Sequence, residues 1–600
     1  MIRLALAALL LASSPADERP NIVFILADDL GVNDLSCYGR ADQPTPHLDK
    51  LATEGARFTS AYCAQPICSP SRAAILTGKA PARLRLTTFL PGRGNHPSQL
   101  LLNAPSPPGL PLEEVTLAER LKAAGYATAA VGKWHLGNKG LQPTDQGFDV
   151  HHPGQANTKP SATEGSKGEH DLTAAAERFL EAHKEKPFFL YLAHNTPHIP
   201  YDAPADPRPN AFNPVYAAVI RTMDDVVGRL MAKIDALGLR EKTIVVFTSD
   251  NGGLHVLEMA KTPATHNTPF RAGKGFVYEG GLRIPLIVRW PGKVKASVVD
   301  TPVIGTDWTP TFLDLAGVKT EDAFDGQSVA PVLRGETAGS IRPFFWHFPQ
   351  YTNQGGRPAG AVREGDWKLV EHYEDGRLEL FNLAKDVGET ADLAAQEPGR
   401  VAALRGKLEA WRRAVKADVN PPNPDYSPSA AKPLYGDVDV SRLAPDKSSS
   451  AMAEALDAWR KGMNKPGPAG GGALILHARD AKVTGAKLQY EAPPHKDTLG
   501  YWVNPADTAE WSFDVPKAGA YAVEVLQGCG KGCGGSEVEL AFGATSLTFK
   551  VEETGHFQRF VPRTVGTVTL EKGPATLKLS AKSKPGPAVM DLRRVTLKAD

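Results

Sequence analysis

Two acidic pairs stand out for the chemistry they could do: Asp28-Asp29, and Asp250 with Asn251 in Asp250-Asn251-Gly-Gly253. Each pair closes an apolar run with the look of a strand. Parallel sheets gather ligands at the carboxyl edge of their strands, so the two pairs can face one site despite their separation in the chain. Three carboxylates and an amide oxygen make an all-oxygen cage that suits Ca2+ or Mg2+, whereas zinc would take imidazole or thiolate. A second constellation is Cys68-Ser-Pro-Ser-Arg72, running into Ala73-Ala-Ile-Leu-Thr-Gly78, which reads as the start of a helix closed by glycine. A cysteine there meets unpaired backbone N–H groups and the positive end of the helix dipole, a setting that favours an anionic nucleophile and an anionic substrate.

These residues need a frame. From Asn21 to about Trp290, short apolar runs alternate with longer helical stretches, which predicts an α/β domain with a mostly parallel sheet. The runs 21–27, 127–131, 187–193, 243–248 and 284–288 read as buried strands, and 116–124, 171–184 and 216–237 as helices. Around 361–383 two alternating segments predict a small antiparallel sheet, followed by a helix near 400–415. Asn464-Lys-Pro-Gly-Pro-Ala-Gly-Gly-Gly472 reads as a flexible linker. Alternating segments beyond it, at 508–515, 520–525 and 575–580, predict a β-sandwich. The expected organisation is a signal peptide at 1–16, a catalytic domain at 17–345 with a C-terminal subdomain at 346–425, a linker region at 426–472 and the sandwich at 473–600.

Charge is balanced, with 68 Lys plus Arg against 67 Asp plus Glu, which removes any global electrostatic reason to expect nucleic acid or an anionic membrane as partner. The order Arg3, apolar Leu4 to Ala12, then small residues reads as a secretion signal too short to span a bilayer, so a secreted or periplasmic chain is expected, off the membrane once the signal is cut. Five cysteines are an odd count that leaves at least one thiol unpaired, with Cys68 the candidate. Cys529 with Cys533, and Cys37 with Cys63, are open either to pairing or to remaining thiols.

The Cys68-Ser-Pro-Ser-Arg72 segment resembles the Cys-x-Pro-x-Arg signature of the type I, arylsulfatase-like sulfatases. Further segments resemble that family in the same order: Ala27-Asp28-Asp29, Gly132-Lys-Trp-His-Leu-Gly137, Pro197-His198, Asp250-Asn-Gly-Gly253 and Gly273-Lys-Gly275. Six ordered matches from about Pro20 to Leu393 are far more specific than one five-residue signature. The resemblance implies an alkaline-phosphatase-like fold and hydrolysis of O-sulfate esters. It also implies oxidation of Cys68 to Cα-formylglycine by a formylglycine-generating or sulfatase-maturating enzyme. A plain cysteine would attack sulfur poorly and trap a stable adduct, whereas a hydrated aldehyde offers one hydroxyl to attack and another to expel sulfate.

Carried onto this sequence, Asp28, Asp29, Asp250, Asn251 and the modified Cys68 would ligate Ca2+. Arg72 would hold the hydrate, and Lys133 and Lys274 would grip sulfate oxygens. His198 would protonate the leaving alcohol, Asp250 would assist the attacking hydroxyl, and His135 would take the second hydroxyl's proton. A sulfated glycan of galactose or N-acetylgalactosamine type is the expected substrate. The alternatives are a phosphoric or phosphonic ester hydrolase of the same superfamily and a non-catalytic glycan-binding protein. His151, His152, His194, His255, His266 and Arg363 are further candidates for a sugar pocket, as are Arg93 and His96. Tyr501, Trp502 and Trp511 could stack on sugars, although tryptophan at strand spacing is more often core.

Overall fold

The computed structural model describes residues 19–154, 159–161, 163–201, 208–258, 262–336, 342–463, 473–491 and 498–599. The expected signal at 1–16 and the Gly-rich stretch 464–472 lie outside the described residues. The chain divides into two compact units, one comprising 1–92, 103–421 and 438–464, the other 93–102, 422–437 and 465–600.

The first unit is built on an eight-stranded sheet. Across it run Ser297–Val299, Ala56–Phe58, Leu286–Arg289, Thr243–Ser249, Asn21–Ala27, Phe188–Ala193, Ala127–Gly132 and Val150–Pro153. Only Leu286–Arg289 runs against the rest. Asn21–Ala27, buried along its whole length, lies between Thr243–Ser249 and Phe188–Ala193 and is parallel to both, with Ala27 opposite Ser249 and Leu26 opposite Ala193. A strand buried on both faces must be apolar throughout, which is why its seven residues read as an unbroken hydrophobic run.

Two groups of helices flank the sheet. Pro46–Glu54 and Glu169–His183 each pack on Pro214–Ala236, and Cys68–Thr77, Leu117–Ala123 and Trp308–Leu315 pack on one another. Phe24 of the central strand meets Trp308 and Phe312 edge-on. Leu117–Ala123 begins where the sequence predicts, because Thr116 accepts from the Glu119 amide while the Glu119 carboxylate accepts from the Thr116 amide.

The apolar run 284–288 is not one strand. It breaks at Pro285 into Arg283–Ile284, part of a three-stranded sheet with Ala61–Tyr62 and Val303–Ile304, and Leu286–Arg289 of the main sheet. Proline has no N–H to give a ladder, and here only its carbonyl is used, accepting from Thr248 Oγ1 at 2.8 Å.

The small antiparallel sheet has four strands, Phe344–Phe348, Ala359–Glu364, Trp367–His372 and Leu378–Asn382. Val362, Leu369 and Leu380 pack there against Leu404 and Leu408 of the helix Pro398–Ala414. Within 426–472, the helix Ser449–Met463 belongs to the first unit, with Leu456 and Trp459 buried.

The second unit holds two antiparallel sheets, of six and five strands, around one apolar core. Trp502 and Trp511 are in that core, with indole N–H groups given to Asp507 O and His477 O, whereas Tyr501 is 56% exposed. All five cysteines are free thiols. Among the described residues, no helix is long and apolar enough to cross a membrane.

Candidate active site

Four parallel strands in adjacent positions deliver the site. Just past their carboxyl ends come Asp28, Lys133, the His194 to His198 loop, and Asp250 with Asn251. Gly132 makes the approach possible: its φ is +103°, and an added Cβ would lie 1.8 Å from Ala193 O. The Lys133 amide then donates to that same carbonyl at 2.9 Å. The Asp28 amide donates to Thr196 O, and the Asp250 amide to Ala27 O, so neighbouring strand ends are tied to one another. Lys274 arrives on a loop whose own amide donates to Gly253 O, while the next amide, of Gly275, donates to Pro66 O just ahead of Cys68.

Cys68 opens the helix Cys68–Thr77, every residue of which is buried. Its thiol faces Asp29 Oδ1 at 3.8 Å. Asp29 has a left-handed backbone, φ 67°, as does His135, φ 58°. Non-glycine residues in that region store strain, which is characteristic of functional sites. Metal-ligating atoms of Asp28, Asp29, Cys68 and His198 all lie within 4.8 Å of one another.

The carboxylates are held by cations. Lys133 Nζ donates to both oxygens of Asp28, at 2.9 and 2.7 Å, and Lys274 Nζ to Asp29 Oδ2 at 2.7 Å. Arg72, fully buried, donates from Nε to Asp250 Oδ2 at 2.8 Å and from Nη1 to Lys133 O at 2.9 Å. Asp250 Oδ1 accepts from the Asp29 amide at 3.2 Å.

Burial would raise all three carboxyls. Lys133 and Arg72 nevertheless keep Asp28 well below the usual carboxylate range, and Lys274 does the same more weakly for Asp29. Asp250 is pushed up to about 6 by burial, which Arg72 opposes and the charge of Asp28 reinforces. Of the three, only Asp250 lies above its ordinary value, and a further positive charge beside it would draw it down.

Asn251 supplies a direct indication that the group fits a cation. Its Nδ2 is committed to Asp29 Oδ1 at 2.8 Å and Gly252 O at 3.0 Å, while its buried Oδ1 has no hydrogen-bond partner. A buried amide oxygen without a partner is costly. An all-oxygen donor set of Asp28, Asp29, Asp250 and Asn251 matches the preference of calcium.

The helix start does not make Cys68 anionic. Burial dominates, and despite Lys133 and Lys274 the thiol lies far above its ordinary pKa. The site therefore holds a protonated thiol, which is a poor nucleophile.

The two histidines are both neutral and are oriented differently. Burial, helped by Lys133, lowers His135 to about 3; its Nε2–H donates to Leu90 O at 2.7 Å, and the buried Nδ1 has no partner. The Leu90 amide donates in turn to Ser69 Oγ, so the residue after Cys68 orients His135 at one remove. Burial, with Lys274, lowers His198 to about 3; its Nδ1–H donates to Ile199 O, and its Nε2 lies 3.6 Å from Asp29 Oδ2.

Other sequence candidates are engaged elsewhere. His194 is buried against Glu169, His152 meets Asp171 Oδ2 at 2.6 Å, and His255 meets Val440 O at 3.0 Å. Arg363 is buried on the Tyr62 hydroxyl, and His266 packs on Phe212. Arg93 and His96 belong to the second unit. Trp134 gives its N–H to Leu141 O and meets Phe148 edge-on. Sequence reasoning missed Lys167, 3% exposed, whose Nζ donates to Ile199 O at 3.0 Å. Burial, opposed by Asp28 and aided by Lys133, lowers its ammonium to about 7. In Gly165-Ser-Lys-Gly168 a lysine reads as solvated, and nothing local marks it otherwise.

Comparison with known proteins agrees with this geometry. Residues 20–318 match the Sulfatase family, and 272–413 match N-sulphoglucosamine sulphohydrolase, C-terminal. The chain is 36% identical to arylsulfatase A of Homo sapiens over 412 residues, covering 61% of this chain and 76% of that protein. It is 35% identical to N-acetylgalactosamine-6-sulfatase of Mus musculus over 381 residues, 57% of this chain and 72% of that protein. Among solved structures, Ps i-CgsB in complex with k-i-k-neocarrahexaose aligns with a TM-score of 0.57 at 26% identity, covering 74% of this chain and 100% of that one.

Proposed function

The chain belongs to the type I sulfatase family and hydrolyses sulfate esters, and from that premise we propose a sulfated glycan as substrate, calcium as the bound metal and formylglycine at position 68. The net reaction is R–O–SO3⁻ + H2O → R–OH + HSO4⁻. One observation carries the site reading: Asn251, whose buried Oδ1 has no partner, bonds through Nδ2 to the same Asp29 carboxylate that the Cys68 thiol faces.

Asp28, Asp29, Asp250, Asn251 and residue 68 would hold the calcium, which as a Lewis acid offsets negative charge on sulfate oxygens. Formylglycine supplies a hydrated aldehyde, one hydroxyl for attack on sulfur and one for the later release of sulfate. A maturating enzyme must make it. That reading explains a thiol kept protonated, since the thiol is a precursor and not the nucleophile.

The chain's own residues do the rest. Lys133 and Lys274, ammonium groups within the cluster, bind the equatorial sulfate oxygens. Arg72 fixes Asp250, which receives the proton of the attacking hydroxyl. His198 presents Nε2 to the departing alkoxide. It must be charged to donate; burial, and after it the Lys274 charge, keeps it neutral, and the anionic substrate offsets both. His135, its Nε2–H fixed on Leu90 O, offers the Nδ1 lone pair to the second hydroxyl.

The glycan is supported by relatives that act on N-acetylgalactosamine sulfate or bind a neocarrahexaose. A secreted or periplasmic location is supported by the charged, apolar, small order of residues 1–16. The test is sulfate release from sulfated galactose and N-acetylgalactosamine saccharides by enzyme matured in co-expression. Release from at least one of them is expected, and turnover of aryl sulfates alone would reject the glycan assignment.

A further inference from the structure

The loop from His194 to Ile199, which carries His198, is held by one short segment, Lys167 to Glu169. Glu169 Oε1 accepts from the amides of Asn195 at 2.9 Å and Thr196 at 3.0 Å, and its Oε2 accepts from His194 Nδ1. Lys167 O accepts from Asn195 Nδ2 at 2.9 Å. At the far end of the loop, Lys167 Nζ donates to Ile199 O at 3.0 Å, and that carbonyl also accepts from His198 Nδ1. An ammonium only 3% exposed is expensive to bury, and here it donates to the acceptor that sets the histidine's tautomer.

We infer that Lys167 is a positioning residue for His198, pinning the Ile199 carbonyl so that Nδ1–H stays bonded and Nε2 stays aimed at the leaving oxygen. The inference rests on the reading of His198 as the general acid. As the S–O bond breaks, the bond's electron pair goes to the alcohol oxygen and the Nε2 proton follows it, leaving a neutral imidazole whose Nδ1–H is still held. Without Lys167 the carbonyl has lost its second donor, the ring is free to turn, and proton delivery fails first where the alkoxide needs it most.

The experiment compares the holoenzyme with His198→Ala and Lys167→Met across a series of aryl sulfates, from strongly activated nitrophenyl esters to phenyl sulfate. General acid catalysis is worth about a hundredfold or more, so Lys167→Met should lose about tenfold or more in kcat on phenyl sulfate. It should stay within about threefold of the parent on the most activated ester, which also reports that the variant is folded and matured. Equal loss on every ester, or no loss on any, overturns the inference. If His198→Ala itself shows no dependence on the leaving group, it is the general-acid reading that fails, and the inference fails with it. A dependence in His198→Ala without one in Lys167→Met rejects the inference alone.

Discussion

Cys68 Sγ lies 3.8 Å from Asp29 Oδ1, a helix start meeting a strand end across thirty-nine residues of chain. That contact brings Cys68, the proposed formylglycine precursor, into the same cluster as the proposed metal ligands Asp28 and Asp29. Cys68→Ala removes the precursor of the nucleophile and one long thiol contact, no more. Turnover should fall by more than about a thousandfold, while the thermal melting profile stays that of the parent.

The oxygen cage predicts the metal. Chelation should abolish sulfate release, and calcium should restore it better than zinc, because the donors of the proposed cage are carboxylate and amide oxygens, and position 68 offers an oxygen in place of its thiol once matured. Asn251→Ala, which deletes the partnerless oxygen, should raise the calcium concentration needed for half-maximal activity by about tenfold or more. A calcium titration followed by sulfate release checks both, and preferential rescue by zinc would refute the cage.

Lys133 and Lys274 each bond a different aspartate of the cluster. Their ammonium groups can therefore reach different sulfate oxygens, and Lys133→Ala and Lys274→Ala should each lower kcat/KM by about a hundredfold. The parent should also prefer a sulfate monoester to the matched phosphate monoester, whose second charge asks for more cationic groups. Competing rates on the two esters measure that preference, and a preference for phosphate would favour the phosphoric ester alternative.

Glu279 tests the scaffold. It is fully buried, with Lys368 at 2.9 Å, Arg283 at 2.8 Å and the Tyr62 hydroxyl at 2.7 Å. Burial would raise its carboxyl, but Lys368, Arg283 and Arg363 hold it well below the usual range. Its neighbour Glu389 is pushed up to about 7 by burial, which Lys368 opposes and the charge of Glu279 reinforces. Because the folded pKa of Glu279 is below its unfolded value, its charge stabilises the fold above about pH 4.5, and that stability is lost as pH falls further. Glu279→Gln should cost on the order of 3–5 kcal/mol near pH 7. The gap between parent and variant should begin to narrow only below about pH 4.5, as thermal melts at about pH 7 and about pH 3 would show.

Much of the site was legible because strand ends are legible. Apolar runs that stop abruptly at Asp28, Gly132, Ala193 and Asp250 mark the carboxyl edge of a sheet, and the chemistry-bearing residues follow within five positions. Short edge strands such as Val150–Pro153 and Ser297–Val299 went unseen, since three or four half-exposed residues carry no periodic signal. The splitting of 284–288 followed from a proline whose effect depends on which sheet each half joins. Lys167 and Glu169 were invisible for a different reason: their work is to bond a loop 26 to 32 residues further on, and only the folded chain brings the two together. The charge state of Cys68 likewise depended on burial, which the helix-dipole argument leaves out.

The central claim is that residue 68 acts as an aldehyde and not as a thiol. Mass spectrometry of the peptide containing residue 68, taken from enzyme that releases sulfate, tests it most directly. The predicted species is formylglycine, in which a carbonyl oxygen stands in place of the thiol sulfur with two fewer hydrogens, or its hydrate, and its fraction should rise in proportion to activity across preparations. Fully active enzyme carrying only an unmodified Cys68 would contradict the account.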